Sequence, residues 1–213
     1  MGWHTDPMAF WYTNDIEAQD NAVEIYYVLH SLGFQYNAIC GVLGNIGYES
    51  GYNPWKWQYN TYTTADILAS TDTYLITNRT GHAYGLLQHD PASDYIYSPV
   101  ARLLSEYGPN FSDIPGKNTD GIAQLLNVEY YCIPTLGSWI PTTYYTMSYN
   151  DFKVSNQSAT YLALAWLYEY ERGTYDVQRE TNATFWYNNL QSLIDQRANY
   201  RKMPWIYYLR RRR

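Results

Sequence analysis

The chain has 213 residues, a length typical of one domain with a small extra segment, and a formal net charge of −6 at pH 7. This negative charge argues against a general binder of nucleic acid or of anionic membranes. No stretch approaches the roughly 20 apolar residues of a membrane-spanning helix. The N-terminus lacks the basic region and apolar run of a signal peptide, so delivery to a substrate outside the cell would need another route.

Tyrosine and tryptophan are unusually frequent, with 26 Tyr and 8 Trp against 5 Phe. Their side chains combine an apolar face with a polar edge, which suits stacking on sugar rings as well as packing. The bias slightly favours a carbohydrate partner. The alternative is that these residues form large interfaces of mixed polarity. Cys40 and Cys132 lie in apolar stretches and are predicted to be buried thiols rather than a disulfide. No phosphate loop is present and the histidines and cysteines lack metal-site spacing, so no cofactor or metal is expected.

Two helices are predicted in the first quarter of the chain, after an N-terminal arm. The first begins at Asn21, an N-cap-type residue with Glu24 at the third helical position, and ends before Gly33. The second begins near Asn37, and its apolar residues recur at helical spacing, which predicts one buried face. Its glycines recur at every third residue: Gly41, Gly44 and Gly47. Because a mid-helix glycine costs about 1 kcal/mol relative to alanine, they predict close packing against another element.

The pattern changes after residue 50 and becomes helical again in the second half. Two short runs, residues 73–77 and 83–87, predict a small antiparallel sheet. Further helices are predicted from Ser98-Pro99 through Leu104, from Asp120 to about Tyr131, from Gln157 to Arg172 and from Arg179 to about Asn199, with a long loop over residues 134–155. The predicted fold class is α+β and mostly helical. The predicted organisation is an arm (residues 1–14), one domain (15–200) and a basic tail (201–213).

Glu49 is the candidate catalytic residue. It follows Val42 by seven residues and Ile46 by three, so it continues the apolar face of the second helix. Loss of hydration and the negative end of the helix dipole both favour a neutral carboxylic acid over the anion there. A glycosidase needs such an acid to protonate the leaving oxygen. The alternative is an exposed carboxylate on a frayed helix end.

Short motifs around Glu49 occur in a fixed order. Glu49-Ser50, Asn53-Pro54 and the run Tyr84-Gly85-Leu86-Leu87-Gln88 resemble motifs of the lysozyme-like superfamily, which includes goose-type lysozymes and soluble lytic transglycosylases. The chain resembles the phage tail lysozyme family still more closely. The matching segments, in chain order, are Asn21-Ala22-Val23-Glu24-Ile25, residues 37–45, Glu49-Ser50, Trp57-Gln58, Tyr84 to Gln88, Tyr170-Glu171-Arg172-Gly173 and Trp186-Tyr187. The resemblance spans roughly residues 15–193.

The resemblance implies a lysozyme-like domain with two lobes around a cleft and Glu49 as its general acid. Gln88 would lie on the sheet side of the cleft and bind an N-acetyl group or a water. Other implied or possible contributors to the site are Gln58, Trp57 and Tyr84 as substrate-binding residues and Asn45 as a neighbour of Glu49. The aromatic segment 52–62 is predicted to border the cleft, with Trp55 or Trp57 stacking on a sugar ring or, alternatively, packing between the lobes.

The carboxylate opposite Glu49 is left open by the sequence. Asp66 is the leading candidate because it lies near the expected hairpin, although it could equally cap a short helix. The other candidates are Asp72, Asp90 and Asp94. In lytic transglycosylases, the resemblance implies, no second protein carboxylate is required, because the acetamido and 6-hydroxyl groups of the substrate complete the reaction.

The resemblance predicts a peptidoglycan-degrading muramidase of a bacteriophage. It would cleave the β-1,4 bond between N-acetylmuramic acid and N-acetylglucosamine, and would be carried at the virion tail tip to the host cell wall. The predicted partners are peptidoglycan glycan strands and other phage tail proteins, with no nucleic acid and no membrane. The alternatives are a lytic transglycosylase, an endolysin held in the host cytoplasm until holin release, and a catalytically inactive structural tail-tip protein.

Overall fold

A computed structural model describes residues 3–6, 8–56, 58, 83–88, 121–132 and 137–197. Its elements are helical, which confirms a mostly helical fold for these ranges. In chain order they are α1 (Ile16–Ser31), α2 (Tyr36–Ser50), α3 (Gly121–Cys132), α4 (Tyr149–Lys153), α5 (Ala159–Trp166), a π-helical turn (Leu167–Glu171) that continues α5, and α6 (Val177–Arg197). None of the helices in these ranges has the length and apolar character needed to cross a membrane.

Helix α2 occupies the centre of the fold. It packs most extensively against α6 and α5, and α1 covers it while also contacting α3 and α6. Every residue from Ala38 to Gly47 is buried, so α2 is enclosed on all sides rather than on one predicted face. Cys40 and Cys132 are both buried free thiols, as predicted.

The glycines of α2 bring its backbone close to α5 and α6. A methyl group added at Gly41 would lie 2.9 Å from the backbone nitrogen of Ala163 in α5. At Gly44 it would lie 2.5 Å from the backbone oxygen of Arg179 and 2.9 Å from the Cβ of Ala183, both in α6. Only glycine leaves room for these contacts. The predicted close packing of these glycines is therefore confirmed.

Helix α1 begins six residues earlier than predicted, after Asp15 rather than Asn21 as N-cap. Asn21 does not cap the helix, because its buried side chain binds the N-terminal arm instead. The side-chain amide accepts from the backbone N–H of His4 at 2.8 Å and donates to the carbonyls of His4 (2.8 Å) and Tyr52 (2.9 Å). The end of the helix is as predicted, since Gly33 adopts a φ of +95° just beyond it.

Helix α4 lies inside the segment that was predicted to be a long loop. Its start is a capping box, in which the Ser148 side chain accepts from the backbone of Asp151 and the Asp151 side chain accepts from the backbone of Ser148. This local signal was available in the sequence. One turn of helix is enough to bury Phe152 completely in the core.

The prediction of a small antiparallel sheet is wrong for the part of the chain that the structure describes, which contains no strand. Residues 83–88 form a turn that meets Lys56 and Gln58 in a single bridge. The N–H of Gln58 donates to the Ala83 carbonyl at 3.0 Å, and that of Gly85 donates to the Lys56 carbonyl at 2.8 Å. Positive φ values at Gly85 (+84°) and Gln88 (+46°) then turn the chain away from an extended path. The other predicted run, residues 73–77, and the helix predicted from Ser98 lie outside the described residues.

Replacing Gly44 with alanine tests the close approach of α2 and α6. Helix propensity alone predicts a gain of about 1 kcal/mol, but the added methyl would collide with backbone of α6. We expect a net loss of about 1–3 kcal/mol in the free energy of unfolding, measured by urea denaturation. The control is Asn188→Ala at an exposed position of α6, which should leave the midpoint unchanged or raise it. A midpoint for Gly44→Ala at or above that of the wild type would contradict the close contact.

Candidate active site

Glu49 lies in the last turn of α2 and forms an ion pair with Arg179 in the first turn of α6. Its Oε1 accepts from Nη2 of Arg179, joining residues 130 positions apart in sequence. The two side chains differ in exposure, with 22% of Glu49 but only 3% of Arg179 accessible to solvent. Glu49 thus keeps part of its side chain in solvent while a buried cation binds its carboxylate.

The same guanidinium group binds a second carboxylate. Nη1 of Arg179 donates to Oε2 of Glu171 and to Oδ1 of Asn45, both at 2.6 Å. We refer to Glu49, Asn45, Glu171 and Arg179 as the Glu49 cluster. The carbon of the guanidinium lies 4.3 Å from the centre of the Tyr48 ring, close enough for a cation–π contact.

Neighbouring helices fix the two inner members of the Glu49 cluster. Asn45 donates from its Nδ2 to the backbone carbonyl of Ala163 in α5 at 2.9 Å, which leaves its Oδ1 facing Arg179. Glu171 accepts from the indole N–H of Trp166 at 3.0 Å through its Oε1. Trp166 and Glu171 are five residues apart, the spacing that a π-helix brings together. The π-helical turn therefore directs Glu171 toward Arg179.

The Glu49 cluster contains two carboxyl groups and one guanidinium. When both carboxyls are ionised it carries one excess negative charge, and a single proton makes it neutral. Burial raises the pKa of Glu171 above its ordinary value, and the Glu49 charge raises it further while Arg179 opposes both effects. Because an excess charge is costly in a buried site, the cluster is suited to hold one proton near neutral pH.

Glu169 is a second buried carboxyl with a raised pKa. Burial raises its pKa to about 7. The residue is completely buried, however, and within the described part of the chain its Oε2 has no hydrogen-bond partner. A polymeric substrate cannot reach such a group. Of Glu49, Glu169 and Glu171, Glu49 is therefore the most exposed.

Of the predicted substrate-binding residues, Gln58, Tyr84 and Gln88 are described, and they belong to the turn beside the end of α2. The Ser50 hydroxyl donates to the Leu86 carbonyl at 3.0 Å, linking the residue after Glu49 to this turn. Gln88 donates from Nε2 to the carbonyls of Lys56 and Gly85, each at 2.9 Å. Gln58 accepts from the backbone of Ala83 at 3.3 Å, and Tyr84 is buried. Trp57 and Asp66 lie outside the described residues, as do Asp72, Asp90 and Asp94.

The aromatic segment after Glu49 divides between core and surface. Tyr52 is buried, and its hydroxyl accepts from the indole N–H of Trp186 at 2.7 Å. Trp55 is half-buried. Trp57, Tyr59 and Tyr62 lie outside the described residues. Tyr52 thus contributes to the packing between the end of α2 and α6.

Two members of the Glu49 cluster were not identified from sequence as site residues. Glu171 belongs to the Tyr-Glu-Arg motif described above, but that motif did not indicate which residue Glu171 contacts. Arg179 carries no sequence signal, because an arginine near a helix start usually faces solvent. Among the described residues, no group of three or more histidine, cysteine, aspartate or glutamate side chains is placed to hold a metal ion.

Comparison with known proteins agrees with the predicted resemblance. The family model for phage tail lysozymes matches residues 20–190, a range that includes Glu49, Glu171 and Arg179. The chain is also similar to morphogenesis protein 1 of Bacillus phage B103, with 28% identity over 180 residues. That match covers 82% of the chain and 41% of the relative, so the chain spans about two fifths of that protein's length. Since the family model accounts for most of its residues, the chain belongs to the phage tail lysozyme family.

Proposed function

We propose that the chain is a peptidoglycan-degrading glycosidase in which Glu49 is the general acid. The observation that carries this proposal is the partly exposed Glu49 side chain at the end of the central helix, whose carboxylate is paired with a buried arginine. Membership of the phage tail lysozyme family supports peptidoglycan as the substrate. The specific bond proposed is the β-1,4 linkage between N-acetylmuramic acid and N-acetylglucosamine.

In the proposed reaction Glu49 protonates the glycosidic oxygen as the bond to the sugar breaks. Arg179 holds Oε1 of Glu49, while Oε2 accepts no hydrogen bond from the described residues. Oε2 is therefore the oxygen that would carry the transferred proton. Only 9% of the Glu171 side chain is accessible to solvent and its carboxylate binds Arg179, so it acts as a positioning residue and does not reach the sugar. Asp66 remains the predicted second carboxylate.

The proposed setting is the virion tail, where the protein would open the cell wall during DNA entry. The family is that of phage tail lysozymes, and the related B103 protein is named for morphogenesis, which favours a particle component over a free endolysin. Proteins of the same tail are the proposed partners.

Replacing Glu49 with glutamine tests the general acid. Glutamine retains an oxygen that accepts from Arg179, so the fold should be preserved, but it has no acidic proton to transfer. We expect lysis of purified cell walls, measured by zymogram and turbidity, to fall below a tenth of the wild-type rate at an unchanged thermal midpoint. Glu17→Gln, in the first turn of α1, is the matched control and should lyse walls normally. Substantial lysis by Glu49→Gln would refute the assignment, and no lysis by the wild type would favour an inactive structural protein.

Replacing Glu171 with glutamine tests the shared proton of the Glu49 cluster. Glutamine keeps one of the two acceptor oxygens that bind Trp166 and Arg179, and it removes one ionisable carboxyl, so the cluster becomes neutral without a bound proton. We expect the alkaline limb of the kcat/KM profile to move to lower pH, while activity on the acidic side changes by only a few fold. Glu169→Gln removes a buried charge two residues away, and it should leave that limb in place. An alkaline limb at the same pH in Glu171→Gln and in the wild type would exclude a role for Glu171 in holding the proton of the cluster.

The end groups of the products test the bond chemistry. A hydrolase adds water to the muramic acid, so mass spectrometry of the released muropeptides should show reducing ends. Anhydromuramic ends, lighter by one water molecule, would instead establish a lytic transglycosylase. Either result requires the glycosidic bond to break, and products cut only in the peptide stems would contradict the proposed reaction class.

A further inference from the structure

A groove lies beside Tyr48, between the N-terminal arm, the end of α2 and the start of α6. It has a volume of about 390 Å³, within the roughly 300–1,000 Å³ of small-molecule sites. We call it the arm groove. The side chains used below are Trp11 and Tyr12 of the arm, Tyr48 of α2, and Asp176, Gln178 and Asn182 at the start of α6.

The arm groove is lined by both aromatic and polar side chains. Tyr12 is 70% exposed and packs edge-on against Phe10, with ring centres 5.5 Å apart. Other lining residues are polar: Gln178 donates from Nε2 to Oδ1 of Asn182 at 2.8 Å, and its backbone N–H donates to Asp176. Aromatic faces suit the C–H surface of a sugar ring, and amide and carboxylate groups suit its hydroxyl and acetamido groups.

Buried amide contacts hold the arm in place, so the groove is formed without a ligand. Asn53 donates from Nδ2 to the carbonyls of Asp6 and Ala9. Gly51, with a φ of +59°, lies directly against Trp11, where an added methyl would be 2.6 Å from the backbone nitrogen. A preformed wall of this kind reduces the entropy lost when a ligand binds.

The charge of the arm groove selects against anionic polymers. Among the described residues that line it, Asp176 is the one with a formal charge. Arg179 lies behind the Tyr48 ring, but it is 2% exposed and already paired with carboxylates. A phosphate-bearing chain would therefore meet a carboxylate and no available cation, whereas an uncharged amino-sugar unit would meet matching polar groups.

Tyr48 connects the arm groove to the Glu49 cluster. Its ring lines the groove and lies against the Arg179 guanidinium, which in turn binds Glu49. We propose that the arm groove is a glycan subsite that binds an N-acetylhexosamine unit of the strand cleaved at Glu49. This inference rests on the proposed function for the identity of the strand.

Binding of a soluble glycan to the Glu49→Gln variant tests the subsite without cleavage. The probe is chitohexaose, a β-1,4 oligomer of N-acetylglucosamine, followed by the NMR signal of the Trp11 indole N–H. That signal is assigned by its loss in Trp11→Phe. We expect it to shift on titration, and we expect Tyr12→Ala to weaken binding about fivefold through loss of a stacking ring. The matched control is Tyr144→Ala, which removes a tyrosine that is 87% exposed on the loop before α4 and should not change the affinity.

The outcomes separate the subsite from the proposed activity. A Trp11 signal that stays fixed up to millimolar chitohexaose, or equal affinities for Tyr12→Ala and Tyr144→Ala, would overturn the subsite even if the wild type lyses walls. A shifted Trp11 signal with the predicted loss in Tyr12→Ala would support the subsite even if the wild type showed no lysis, in which case the proposed activity would fail alone. With an active wild type, Tyr12→Ala should raise KM more than it lowers kcat.

Discussion

The backbones of α2 and α6 touch at Gly44, and the position of the candidate site depends on that contact. The backbone oxygen of Arg179 lies where a side chain at Gly44 would begin. With its backbone fixed there, the side chain of Arg179 reaches Asn45 and Glu49, the residues one and five positions farther along α2. The glycines of α2 therefore determine a distance between two helices and, through it, which side chains can form an ion pair.

The positive charge of a buried guanidinium must be balanced by neighbouring groups. In this fold the balancing groups come from more than one structural element. Arg179 receives one carboxylate from the end of α2 and another from the π-helical turn, with the amide of Asn45 between them. Its Tyr48 contact covers the face of the guanidinium. Three elements thus meet at one cation, and removal of both carboxylates would leave the guanidinium charge unpaired in a buried site, at a cost of about 3–5 kcal/mol. The arrangement rigidly orients Glu49 while leaving its outer oxygen open.

Local patterns in the sequence predicted the helices well and the contacts between them poorly. The spacing of apolar residues located α2, and the recurrence of Gly41, Gly44 and Gly47 correctly indicated close packing. The helix that packs against these glycines could not be predicted from the sequence. Arg179 lies 130 residues beyond Glu49, and its neighbours in the sequence are those of an ordinary solvent-facing helix residue. The start of α1 was misplaced because Asn21 has the chemistry of an N-cap, yet its amide binds the arm.

The same limit explains the wrong sheet prediction. Residues 83–87 form a short run between turn-forming residues, which is typical of a strand, but Gly85 adopts a φ that no strand uses. The buried amide of Gln124 stabilises the turn, since it accepts from the N–H of Leu86 and donates to the carbonyl of Pro54, both at 2.7 Å. These bonds come from a helix far along the chain. A local pattern cannot report a backbone conformation that is set by a distant side chain.

The π-helical turn makes the Glu49 cluster sensitive to chain length as well as to residue identity. Deleting one residue within Leu167–Glu171 would restore α-helical register and rotate Glu171 by about 100° around the helix axis. The glutamate would still be present in the sequence, but its carboxylate would point away from Arg179. In an alignment of related chains, the change would look like a one-residue gap with every motif letter intact. The position of gaps in this segment would therefore distinguish chains in which this glutamate reaches the arginine from chains in which it is present but points away.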